Sequence, residues 1–195
     1  MQFTLNAVKQ QTLLSIARNS IELGISEGQL GVLETKYFED PDLQQIAASF
    51  VTLKKPDSAN NLVLRGCIGS LSATQALAAD VHQHAFAAAY HDTRFEPVAR
   101  HEISQLHISI SVLSPHEELL FNSKEQLLQQ LRPGKDGLII EYHGRRATFL
   151  PSVWESLPDK QLFLTRLLEK ARLGANFWSR EIKASRYCAL NFGES

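Results

Sequence analysis

No apolar run among the 195 residues approaches the roughly 20 needed to cross a bilayer, so no membrane partner is expected. Excess charge is missing too: Lys+Arg total 20 against Asp+Glu 21, a formal net charge of -1. That balance leaves no broad electrostatic footprint for nucleic acid, although Arg132, Lys135, Arg145 and Arg146 lie close enough for a local basic patch. With 2 cysteines, Cys67 and Cys188, there is no framework of bridges. One disulfide remains open, but free thiols in a reducing compartment fit better. Zinc signatures such as HExxH or CxxC are absent, so no metal is expected. His82, His84 and His91 do not make up for them, because helical residues two apart point in different directions. Met1-Gln2-Phe3-Thr4 shows no charged segment leading into an apolar one, so no secretory leader is expected. Repeats, low-complexity tracts and long linkers are also lacking. A single domain over 1–195, with two lobes allowed, and a cytoplasmic location follow as expectations.

What is present is ordinary globular patterning, with 44% hydrophobic and 21% charged residues. Leu13, Ile16, Ala17 and Ile21 recur at helical spacing and predict a helix over 6–23, with Gly24 as its stop. A glycine-bearing linker, Gly28 to Gly31, runs on toward Pro41. Ala47 to Leu53 is β-prone, Lys54-Lys55-Pro56-Asp57 reads as a turn, and Leu62-Val63-Leu64 resumes a strand. Together they predict an antiparallel hairpin. The Ala-rich stretch over 73–90 predicts a helix with Leu77, Val81, Ala85 and Ala88 on its buried stripe, capped by Ser72 or Thr74.

Leu106 to Leu113 alternates as a strand. Ser123 with Gln126 predicts a capped short helix to Leu131. Two runs around His143-Gly144 predict a hairpin with a two-residue turn. Asp159 caps a helix whose buried face is Leu164, Leu167, Leu168 and Ala171, ended by Gly174. The tail over 177–192 is ambiguous. Hairpins separated by helices argue for an α+β fold with a mainly antiparallel sheet flanked by helices.

The stretch Leu64-Arg65-Gly66-Cys67-Ile68-Gly69-Ser70 concentrates chemistry. Gly66 and Gly69 allow close approach or positive φ. Arg65 offers a planar fork for carboxylate or phosphate. Cys67 is open to two readings: a nucleophile activated by Arg65 and the next helix's N-terminus, or a packed thiol, which the usual burial of cysteine favours. Histidine bases are available at His82, His84, His91, His101 and His107, none at a spacing that ties it to Cys67. An anion site where Gly69 feeds the next helix is a further expectation.

Asp92-Thr93-Arg94 reads equally as an active-site ion pair or a locking turn, and Glu102 adds a carboxylate nearby. Arg132-Pro133-Gly134-Lys135-Asp136-Gly137 reads as a tight turn ahead of phosphate binding. Trp154 is expected in a core.

These segments resemble the AMMECR domain family. The resemblance rests on Phe50-Val51-Thr52-Leu53, Leu64-Arg65-Gly66-Cys67-Ile68-Gly69 and Asp92-Thr93-Arg94-Phe95-Glu96-Pro97. It continues through Glu102, Ser111-Val112-Leu113-Ser114-Pro115, Gly134-Lys135-Asp136-Gly137 and Arg146 to Trp154. Order and spacing agree over about three quarters of the chain. Ser109 stands where the family often carries an acidic residue. The resemblance implies an α+β fold with a larger sheet-bearing lobe and a smaller one. It also implies the company of Memo-like and radical-SAM proteins; it carries over no settled activity, and it leaves the cofactor unknown.

The expected site is a cleft around Arg65, Gly66, Cys67, Gly69, Asp92, Arg94, Glu102, Lys135 and Asp136. In an enzyme or enzyme subunit, Cys67 and Glu102 would be catalytic and the others would bind the ligand. The alternative is a non-catalytic adaptor for a protein or a specific RNA.

Overall fold

Helical spacing near the N-terminus produces α1 (Ala7–Glu27), capped by Asn6, whose side chain accepts from the Lys9 backbone N–H. The computed structural model describes residues 5–194, so the reading of Met1–Thr4 lies outside the described residues. The helix does not stop at Gly24 as expected. It continues to a left-handed cap at Gly28, with φ 70°. Gly24 is instead a contact glycine: a Cβ there would sit 2.3 Å from the Tyr90 ring. Beyond the cap the chain makes a 3-10 turn at Thr35–Phe38 and the short α2 (Pro41–Gln44).

The strands β1 (Ala48–Pro56) and β2 (Leu62–Gly69) pair antiparallel. Lys54, Lys55 and Pro56 therefore belong to the strand, and the turn falls over 57–61, where the Asp57 carboxylate accepts from the Ala59 and Asn61 N–H groups. Next comes α3 (Leu77–Tyr90), shorter than expected. Its cap position is Ala76, with no side-chain cap, so neither Ser72 nor Thr74 serves. Leu77, Val81, Ala85 and Ala88 are all buried, as their spacing required.

The remaining elements are β3 (His107–Leu113), β4 (Glu117–Leu119), α4 (Lys124–Gln130), β5 (Gly137–Tyr142), β6 (Arg145–Phe149), α5 (Lys160–Lys170), β7 (Lys183–Tyr187) and β8 (Ala189–Gly193). Ser123 and Asp159 cap α4 and α5 as expected. Helix α5 ends at Lys170, before the expected stop at Gly174, and Arg172 takes the positive φ of 59°. The ambiguous tail resolves into β7 and β8.

The chain divides into two compact units, Met1–Leu113 with Leu190–Ser195, and Ser114–Ala189. The first unit holds the sheet β2-β1-β3-β8. One face of that sheet presents Val51, Leu53, Ile108, Ile110 and Val112, which join Leu13, Ile16 and Ile21 of α1 and Leu77 and Val81 of α3 in one core. Each such side chain, fully buried, contributes about 2 kcal/mol.

The second unit holds the sheet β4-β7-β5-β6. Leu138, Ile140 and Ala184 pack with Leu127 of α4 and with Phe163, Leu164, Leu167 and Leu168 of α5. Trp154 lies in this core as expected, stacked 3.7 Å from Phe163, and donates from Nε1 to the Asp136 carbonyl at 2.7 Å. The fold is α+β, with strand pairs that are antiparallel in both sheets. No helix among the described residues is long and apolar enough to cross a membrane.

Candidate functional site

The candidate site follows β2, the edge strand of the first sheet. Leu53 pairs with Gly66 but Lys54 pairs with Leu64, so Arg65 is the extra residue of a β-bulge. A bulge bends its strand and re-aims a side chain. Here it sends the Arg65 guanidinium to Glu102 in a two-pronged contact: Nε donates to Oε1 at 2.9 Å and Nη2 to Oε2 at 2.8 Å. Nη2 also donates to the Pro97 carbonyl at 3.3 Å. Glu102 receives Lys55 Nζ at 2.6 Å and the Ala99 N–H at 3.0 Å as well. Arg65 above all, helped by Ala99 and Lys55 and opposed by burial, holds the Glu102 carboxyl well below the usual carboxylate range.

A second ion pair clamps the same edge. Arg94 donates to Asp92 from Nε at 2.9 Å and from Nη2 at 2.7 Å. Asp92 also accepts the Cys67 backbone N–H at 2.8 Å, and Arg94 Nη2 reaches the Cys67 carbonyl at 3.4 Å. These contacts satisfy backbone groups that an edge strand would otherwise leave open. The Arg94 guanidinium is the largest cause of a lowered Asp92 carboxyl, with the Cys67 and Arg94 backbone N–H groups adding to it against the opposing effect of burial.

The two motif glycines have packing reasons. A Cβ on Gly66 would lie 2.1 Å from the Ala88 carbonyl of α3, and one on Gly69 would lie 2.3 Å from the Phe50 ring. Cys67 itself is half-buried, with Sγ 3.2 Å from Thr52 Oγ1. Thr52 pairs with Cys67 on one side and Ser109 on the other, so a thiol and two hydroxyls form a row across β2, β1 and β3. No histidine is hydrogen-bonded to the Cys67 sulfur among the described residues. His82 meets the Gly31 carbonyl, His84 meets Asp80, and His91 packs on Phe86.

Neither expected activator of the thiol is in place. Arg65 is committed to Glu102, and residues 70–76 separate Gly69 from α3, whose first turn carries its own acid, Asp80. Arg94 is instead the cation beside the Cys67 backbone.

Beside the bulge lies a groove of about 530 Å³ lined by Lys55, Leu64, Arg65, Phe95, Pro97 and Glu102, among others. Phe95 has the Arg94 guanidinium carbon 5.4 Å and that of Arg65 6.0 Å from its ring centroid. The structure thus gathers Arg65, Gly66, Cys67, Gly69, Asp92, Arg94 and Glu102 in the first unit. Lys135 and Asp136 lie in the second. Asp136 is fully buried there on Arg132 at 2.6 Å, while exposed Lys135 sits in the tight turn with Gly134 at φ 76°.

Lys55 was hidden from sequence reasoning by its turn-like neighbourhood, and Thr52 because its run, Phe50 to Leu53, read only as strand and family motif. The cluster of buried Ser49 and Asp80 with half-buried His84 was also missed, although the four-residue spacing of Asp80 and His84 on a helix was a usable signal. Among the described residues no group of three or more His, Cys, Asp or Glu side chains is arranged to hold a metal.

Comparison with known proteins agrees with this architecture. The AMMECR1 family model matches residues 14–192. Protein LS215_2104 of Saccharolobus islandicus is 33% identical over 188 residues, covering 94% of this chain and 80% of its own. A protein of Thermofilum pendens is 31% identical over 202 residues, covering 98% and 92%. The crystal structure of the uncharacterized protein PH0010 from Pyrococcus horikoshii superposes with a TM-score of 0.84 at 29% identity, covering 97% of this chain and 93% of that one. The family match, the relatives and the shared architecture agree over nearly the full length, and this chain belongs to the AMMECR1 family.

Proposed function

We propose that the protein is an enzyme, or a subunit of one, that works at strand β2 with Cys67 as its reactive or ligand-holding group. One observation carries this reading. Two ion pairs hold the backbone around Cys67, while its thiol stays half-buried with Thr52 as its side-chain partner. A side chain held by a rigid frame and left reachable is the arrangement a site requires. Arg65, Asp92, Arg94 and Glu102 then act as positioning residues, because their charges are spent on one another. Lys55 retains unspent N–H bonds at the groove and is the cationic contact for an anionic substrate. Cys67 and Cys188 are both free thiols, which suits a cytoplasmic protein acting with Memo-like and radical-SAM partners in a redox or modification pathway.

The test is alkylation of the folded Cys188→Ser protein with iodoacetamide at neutral pH, followed by intact mass. Cys67 is expected to be modified at a rate near that of a free thiol. If it is modified only after denaturation, the thiol is packing. The adaptor reading, favoured by the internal neutralisation of the ion pairs, then stands. Capture of a Memo-like or radical-SAM partner by both wild type and Cys67→Ser would support it.

A further inference from the structure

We propose that the first unit carries a second binding site, an apolar pocket for a small organic amine, walled by α1 and the segment 32–37. It shares no residue with the β2 groove and does not depend on the function proposed for Cys67. The cavity measures about 440 Å³, within the range of small-molecule sites. Ile16 and Leu23 of α1, with Val32, Leu33 and the Tyr37 ring, give it an apolar body.

His82 supplies the first polar anchor. It is only 6% exposed, and its Nε2 lies 2.8 Å from the Gly31 carbonyl oxygen. A carbonyl only accepts, so Nε2 carries a proton, and Nδ1 is an acceptor wherever it carries none. No donor meets Nδ1 among the described residues. His82 is one of the residues that line this cavity.

Charge decides the ligand class. The lining includes the carboxylates of Glu22 and Glu34 and neither lysine nor arginine. Lys36 offsets Glu34 from 2.7 Å. Arg18, one turn before Glu22, gives its hydrogen bonds to Glu194 and to the Ile103 and Leu106 carbonyls and acts on Glu22 only through space, so Glu22 makes no contact ion pair among the described residues. A protonated amine would meet Glu22 and donate to His82 Nδ1, with its alkyl or aryl body on the apolar walls. An anion of the same size would face two carboxylates and a lone pair.

The test titrates the full chain with 2-phenylethylamine and with 3-phenylpropionate, similar in size and opposite in charge, followed by calorimetry and by NMR. The amine is expected to bind and to show contacts to the Leu23 and Val32 methyls, while the carboxylate stays unbound. Glu22→Gln weakens amine binding roughly fivefold, and Ser26→Trp on the exposed rim abolishes it. Equal binding of both probes, no binding of the amine, or amine binding untouched by Glu22→Gln overturns the proposal. Should Ser26→Trp fail to fold, the methyl contacts and Glu22→Gln decide.

Discussion

Glu102 is 8% exposed and accepts from two cationic side chains and a backbone N–H, so its charge state is tied to folding. Its folded carboxyl, like that of Asp92, titrates below its unfolded value. The stabilisation is therefore complete above the ordinary carboxylate range and is lost as pH falls toward the folded values. Unfolding free energy followed by urea titration should decline below about pH 5, and the decline should be shallower in Glu102→Gln. That variant also strands Arg65 in a buried setting and should lose about 3 kcal/mol at neutral pH. An unchanged midpoint there would show that the pair contributes nothing to stability. Gly66→Ala should destabilise by at least about 2 kcal/mol, because a Cβ 2.1 Å from a backbone carbonyl forces β2 away from α3. Thermal unfolding checks it.

Among the elements, the hairpin of β5 and β6 was the most legible. His143-Gly144 announced a two-residue turn, and both residues take positive φ, 46° and 77°. Gly144→Ala should cost about 1 kcal/mol in a denaturation midpoint without loss of strand signal. A smaller cost than Asp159→Ala, a cap substitution also worth about 1 kcal/mol, would mean that the turn relaxes. Boundaries were legible only where local chemistry set them. Ser123 and Asp159 marked helix starts because their side chains bond residues three positions on. Gly24 and Pro56 misled for the opposite reason. Gly24 is explained by the Tyr90 ring of another helix, and Pro56 closes the β1–β2 register opposite Leu62, where a missing N–H is tolerated.

At the scale of the whole molecule the chain makes two compact units, although no linker in the sequence marks a boundary. The second unit is continuous in sequence and has its own core around Phe163 and Trp154. Expressed alone, Ser114–Ala189 should give a cooperative urea transition with both helix and strand signal, at a lower midpoint than larger domains reach. A non-cooperative, gradual loss of structure would show that this core depends on the first unit. The expected cleft draws on residues of both units: Asp136 pairs with Arg132 within the second, while Asp92 and Glu102 make their pairs at the β2 edge of the first.

The sequence by itself determined the α+β class, most elements and the family resemblance, because periodicity, caps and two-residue turns are written in near neighbours. It also drew Arg65, Cys67, Asp92 and Glu102 into one expected cleft, together with Gly66, Gly69, Arg94, Lys135 and Asp136. Tertiary structure alone decided what they do to one another. Arg65 and Glu102 meet across 37 residues, through a bulge that only strand register creates. Lys55 joins them because the strand runs past the expected turn, and Cys67 faces Thr52 rather than a base because sheet pairing places Thr52 opposite it. Contacts of that kind depend on chain closure, and no local pattern encodes them.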